Sequence, residues 1–171
     1  MNTLGRARVL LLIPLTLMLV GCPPKLSEYD RLVRDGNDYF ETEDYRRAEE
    51  AFTKALELRP GEPGTLVNRG NARMMLGDLD GAMRDYDAAI EADPNLAHAY
   101  ANRGILRDKN GDVEGAIADY RKALELNPKL GERPSIWRQI LYNPPTETIK
   151  DRLDFLEALR KKPGAQGAGE R

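Results

Sequence analysis

The 34 residues PGTLVNRGNARMMLGDLDGAMRDYDAAIEADPNL, at 63–96, decide the fold, because the chain writes the same phrase on either side of them, at 29–62 and 97–130. Gly36, Gly70 and Gly104 are 34 apart, and so are Ala48, Ala82 and Ala116; Phe52, Tyr86 and Tyr120; Ala55, Ala89 and Ala123; and Pro60, Pro94 and Pro128. Registers kept through three copies mark an internal repeat, and a period of a few tens of residues is the signature of stacked supersecondary units. Each copy reads as two helices folded back on one another, with the turn near position 15 of the copy. Gly77-Asp78 and Gly111-Asp112 suit that turn, glycine closing the first helix and aspartate capping the second. The prolines stop each second helix. In such an antiparallel pair Gly36 faces Ala48, Gly70 faces Ala82 and Gly104 faces Ala116. The missing side chains let the backbones approach, with the aromatic residue filling the space above. Glycine inside a helix costs about 1 kcal/mol against alanine, so its recurrence needs such a packing reason.

The period, with small residues at positions 8, 20 and 27, an aromatic at 24 and proline at 32, resembles the tetratricopeptide repeat family. The resemblance covers 102 of 171 residues. It implies an all-α fold, an α-solenoid of three helix hairpins at 29–62, 63–96 and 97–130, and a binding scaffold rather than a catalyst. Position 4 departs from the family's tryptophan, reading Leu32, Leu66 and Tyr100, and position 11 is aromatic only at Tyr39, with Arg73 and Arg107 in its place later. A further departure carries its own chemistry. Position 7, usually apolar in the family, is Arg69 and Arg103, and position 23 across the hairpin is Asp85 and Asp119. We expect two ion pairs inside their hairpins; ligand binding by the arginines is the alternative, and matched partners at both sites favour structure. Repeat one, with Asp35 and Ala51 there, has neither half.

Stacked units of this type curve, and their first helices line the concave face. The groove residues then come from positions 2, 5, 6, 9, 12 and 13, which places Asn37 and Asn71 at position 9 and Asn68 and Asn102 at position 6. Two staggered pairs follow, Asn37 with Asn68 and Asn71 with Asn102. A primary amide both donates and accepts, so a row of them can hold the backbone of an extended peptide whatever its side chains. Asparagines at these positions do that work in peptide-binding members of the family. Phe40, Met74 and Met75 are candidates for an apolar floor, although methionines at helical spacing more often belong to a core. The family's clamp for a terminal carboxylate needs basic residues where this chain has Val33, His98 and Asn102, so the resemblance to that clamp fails.

Residues 1–21 carry Arg6 and Arg8, then a 12-residue apolar run from Val9 to Val20, and no acid. That run is shorter than the roughly 20 residues of a spanning helix and fits a signal peptide. Leu19-Val20-Gly21-Cys22 resembles the lipobox of bacterial lipoproteins, in which the cysteine is cut free and acylated. Cys22, the chain's one cysteine, would be the lipid attachment site, and Pro23 after it implies the outer membrane facing the periplasm. Several acyl chains hold a protein firmly where one does so only marginally. Residues 22–28 would be the tether, reaching roughly 20 Å at ~3.4 Å per residue. Without 1–21 the chain has 24 basic and 28 acidic residues, a balance that argues against nucleic acid as a partner.

Beyond Leu130 the repeat register dissolves, and 131–162 reads as a helical cap, since a stack of such units leaves an apolar end. A short helix is expected at 135–142 with Trp137 as the plug, then a longer one capped by Thr146 or Thr148 with Ile149, Leu153, Leu156 and Leu159 at helical spacing. The glycine- and alanine-rich tail 163–171 should be disordered. His98 is the one histidine, serines are only Ser27 and Ser135, and no phosphate loop, zinc spacing or calcium loop is present. No catalytic or metal site, cofactor or small-molecule substrate is therefore expected. The layout implies a membrane-anchored adaptor for envelope proteins, like the pilus assembly factors, outer-membrane assembly subunits and hydrolase adaptors it resembles. The alternatives are a structural or self-associating subunit of an envelope complex and, last, a cell-wall enzyme.

Overall fold

The computed structural model describes residues 26–132 and 148–161. Three antiparallel helix hairpins follow one another: α1 (Glu28–Glu41) with α2 (Tyr45–Leu58), α3 (Pro63–Leu76) with α4 (Leu79–Ala92), and α5 (Ala97–Lys109) with α6 (Val113–Leu126). A short 3-10 helix at Pro128–Gly131 leads on, and α7 (Ile149–Lys161) packs against α6 and that turn. Each second helix also packs against the first helix of the next unit, and successive first helices touch, which makes the arrangement a solenoid. No strand occurs among the described residues.

The turns follow from position 15, which is left-handed in every unit: Gly77 at φ 84°, Gly111 at 80° and, in repeat one, the non-glycine Glu43 at 61°. The aspartates after them, Asp44, Asp78 and Asp112, accept from the backbone N–H of Arg47, Gly81 and Gly115 at 3.2, 3.0 and 3.0 Å. Each cap satisfies one of the donors that a helix start leaves open. Second helices end at Leu58, Ala92 and Leu126, each one residue short of the position before proline, where the helical conformation is disfavoured.

Inside the hairpins the alanines at positions 20 and 27 are fully buried. The glycines do something more specific than leave room for an alanine. A methyl on Gly36 would stand 2.6 Å from Phe52 Cε1, one on Gly70 2.7 Å from Tyr86 Cε1, and one on Gly104 2.8 Å from Tyr120 Cδ1. Each glycine is thus the seat of its own hairpin's ring, and the ring fills the seam instead of lying above it. Gly70→Ala sets a helix-propensity gain of about 1 kcal/mol against the roughly 1–3 kcal/mol of displacing a packed ring. A net loss of about 1 kcal/mol in urea unfolding is expected; a gain would mean that Tyr86 can step aside.

The ends of the stack are closed differently. The stripe of α1 that would meet a preceding unit is Arg31, Asp35, Asp38 and Thr42, whereas α3 buries Thr65 and Ala72 at the matching places and α5 buries Ala99 and Leu106. Repeat one therefore ends the stack in a polar face, which is the physical reason for Asp35 at position 7. At the other end α7 starts with a capping box: Asp151 N–H donates to Thr148 Oγ1 at 3.1 Å and Thr148 N–H to Asp151 Oδ2 at 3.0 Å. Leu153 and Leu156 then pack on Ala116, Ile117 and Tyr120. Charge fixes the register, with Arg152 on Asp108 at 2.6 and 2.9 Å and Arg121 on Glu157 at 2.7 and 2.9 Å. Asp87 of α4 meets Arg103 of α5 at 2.7 Å, and Arg121 occupies the position of Asp87 in its own unit. The contact recurs with its signs exchanged, so α7 stands where the first helix of a fourth unit would. Cys22, Thr146, Trp137 with the helix expected at 135–142, and the tail 163–171 lie outside the described residues.

Candidate functional site

Positions 6 and 9 are three apart and share one face of a helix, so successive first helices bring position 9 of one unit beside position 6 of the next. Asn68 Nδ2 donates to Asn37 Oδ1 at 3.1 Å, and Asn102 Nδ2 donates to Asn71 Oδ1 at 2.7 Å. Asn71 Oδ1 also accepts from the Tyr86 hydroxyl at 2.8 Å. Burial and the nearby Asp85 charge push the Tyr86 phenol above its ordinary range, so it stays protonated and able to donate. The Asn71 carbonyl is filled by these two bonds. What remains open is mixed: the Asn68 and Asn102 carbonyls accept, and the Asn37 and Asn71 amino groups donate, with no partner among the described residues.

Beside this row lies a cleft of about 270 Å³ lined by Asn37, Phe40, Glu41, Phe52, Asn68 and Asn71. Its apolar floor is Phe40 and Phe52. The methionines are elsewhere: Met74 leans on the core cluster of Tyr86, Leu66 and Leu106, and Met75 is 50% exposed without lining the cleft. The expectation of a methionine floor is corrected for Met74, which the turn from position 12 to 13 carries inward, while Met75 stays exposed outside this cleft. Phe52, the ring expected at the seam, also reaches the cleft, because Gly36 has no side chain to stop it. A second cleft, of about 320 Å³, opens between α5 and α7 around the Asp108–Arg152 bridge, with Ile105, Lys109 and Ile149 on its walls.

The arginines at position 7 are used inside the fold. Asp85, 3% exposed, accepts from Arg69 Nε and Nη2 at 2.9 and 2.7 Å and from Arg73 Nη1 at 2.9 Å. Asp119, equally buried, accepts from Arg103 Nε and Nη2 at 2.9 and 2.7 Å and from Arg107 Nη1 at 2.8 Å. The bonds to Asp119 hold the Arg103 guanidinium above its usual range, against the opposing effect of burial. The second arginine of each site, Arg73 or Arg107, was the part that pairwise reading missed. Its signal is the 34-residue spacing of the two arginines at position 11, facing the same aspartate across the hairpin. No group of three His, Cys, Asp or Glu side chains that could hold a metal occurs among the described residues.

Helix hairpins of one length, stacked through first helices that share an amide-bearing face, define a helical-repeat solenoid. The tetratricopeptide repeat model matches residues 33–97 and a second match covers 97–130, so the chain belongs to the tetratricopeptide repeat family. No curated protein matches it in sequence. Among solved structures, the first such domain of Spaghetti (RPAP3), bound to the HSP90 peptide SRMEEVD, is similar at 24% identity and a TM-score of 0.64, over 79% of this chain and 94% of that one. The Sgt2 domain from Aspergillus fumigatus has 25% identity and a TM-score of 0.64, over 79% of this chain and 80% of its own. The TPR2B domain of yeast Sti1, in complex with an Hsp70 peptide, has 22% identity and a TM-score of 0.60, over 78% and 98%.

Proposed function

We propose that this protein is an exported adaptor that holds an extended segment of an envelope protein against its asparagine row and aids assembly of a cell-envelope complex. The observation that carries the reading is the row itself: four amides bonded in pairs across two unit boundaries, with donors and acceptors left open beside a cleft. Pairing presets the side chains, so a peptide backbone meets groups already ordered. The similar RPAP3 and Sti1 domains hold peptides, which supports a protein partner. Val33, His98 and Asn102 do not supply a clamp for a terminal carboxylate, so the bound segment is internal to its protein. A lipid on Cys22 restricts the encounter to one membrane, the outer membrane on its periplasmic side, and α1 begins at Glu28, within roughly 20 Å of that anchor along the chain.

The full-length chain expressed in a two-membrane bacterium tests both parts. Cys22→Ser should move it from the membrane to the soluble fraction and abolish incorporation of labelled palmitate. Asn68→Ala with Asn102→Ala should lower recovery of its crosslinked partner roughly thirtyfold, as expected for removing two backbone contacts of about 1 kcal/mol each. Unchanged recovery, or a tight oligomer indifferent to the asparagines, would favour a structural subunit instead.

A further inference from the structure

Position 13, a groove position by the repeat register, is Glu41, Met75 and Lys109, at the C-terminal end of each first helix. Glu41 lines the first cleft and Lys109 the second. Both are exposed, and neither has a partner among the described residues. Glu41 is the one charged residue in the lining of the first cleft, and in the second the other two charges compensate each other, Arg152 on Asp108 at 2.6 Å. Each cleft therefore carries one uncompensated charge, negative at the start of the stack and positive at the end, with the half-exposed Met75 between them.

The geometry points to a charge-selective groove: its occupant is an extended segment with a basic residue over Glu41, an apolar residue at Met75, and an acidic residue over Lys109. This rests on the groove reading above and adds the partner's chemistry to it. Successive first helices in contact stand about 8–10 Å apart, so the two charges are separated by roughly 16–20 Å. At ~3.3 Å per residue an extended chain covers that in about five or six steps. The amides have both donors and acceptors open and do not fix the direction of the chain, so the signs at its two ends, not their order, make the selection.

Three fluorescent heptapeptides blocked at both termini test this, each carrying Ser-Val-Leu-Val-Ser between end residues that are Lys and Glu, Lys and Lys, or Glu and Glu. The full-length chain in detergent should prefer the mixed peptide by roughly threefold to tenfold, the range for one exposed attraction replaced by a repulsion, with the preference fading at high salt. Glu41→Lys should transfer the preference to the Glu-Glu peptide, and Lys109→Glu to the Lys-Lys peptide. Equal binding of all three, unchanged by either substitution yet lost in Asn68→Ala with Asn102→Ala, would overturn the charge selection and leave the groove standing. Binding of none of them would overturn both.

Discussion

Asp85→Ala is expected to cost about 3–5 kcal/mol of folding free energy, the range for removing one partner of a buried ion pair. The aspartate is 3% exposed and receives three charge-assisted bonds, so its loss strands two guanidinium groups in a partly dry seam. Arg69 and Arg73 are themselves only 17% and 20% exposed and cannot recover full hydration without opening α3 from α4. Glu49, which meets Arg73 at 3.1 Å but is 29% exposed, compensates only part of the charge. Thermal unfolding should fall by roughly 10 °C or more for a domain of this size. Glu49→Ala, in contrast, should cost about 1 kcal/mol or less. The companion experiment separates pairing from packing: replacing Arg69, Arg73 and Asp85 together by Met, Leu and Leu should be close to neutral. A loss under about 1 kcal/mol for Asp85→Ala would mean that both arginines reach water in the folded chain. The consequence for binding is direct, because Asn68 and Asn71 flank Arg69 on α3, and the network sets the rotation of that helix.

The hairpins and their stacking were legible because they depend on residues that repeat. A glycine that must admit a ring and a proline that must stop a helix leave the same mark at the same offset three times. The pairing of position 7 with position 23 was readable for the same reason, as a charge exchange made twice and withheld once. What the sequence could not show was depth. Met74 and Met75 are neighbours of one type, and only the helix rotation makes one core and the other surface. The Arg73 and Arg107 contributions needed a three-body geometry, and the general rule that carboxylates lie on solvated faces fails at Asp85 and Asp119. The place of α7 as a displaced first helix was hidden because the insertion before it breaks the 34-residue count, although Arg121 and Glu157 restore the contact that Asp87 and Arg103 make one unit earlier.

Tyr86 joins stability to binding, and three substitutions take the two roles apart. Tyr86→Ala removes a fully buried ring from the notch over Gly70 and should cost about 3–5 kcal/mol, since a seam built around that ring cannot collapse onto a methyl. Tyr86→Phe keeps the ring and deletes only the hydroxyl that donates to Asn71 at 2.8 Å, so its stability should stay within about 1 kcal/mol of the parent. Asn71 then retains one bond, from Asn102, and regains freedom that a bound peptide must remove, so affinity for the mixed-charge heptapeptide should fall a few-fold. Repeat one already has this arrangement, because Phe52 holds the place of Tyr86 and Asn37 that of Asn71. Phe52→Tyr should accordingly place a hydroxyl against Asn37 and raise affinity, with little change in unfolding. If Tyr86→Phe and Phe52→Tyr left affinity untouched while Asn68→Ala with Asn102→Ala still lowered it, the row would bind through its amides without needing the phenol to hold them in place.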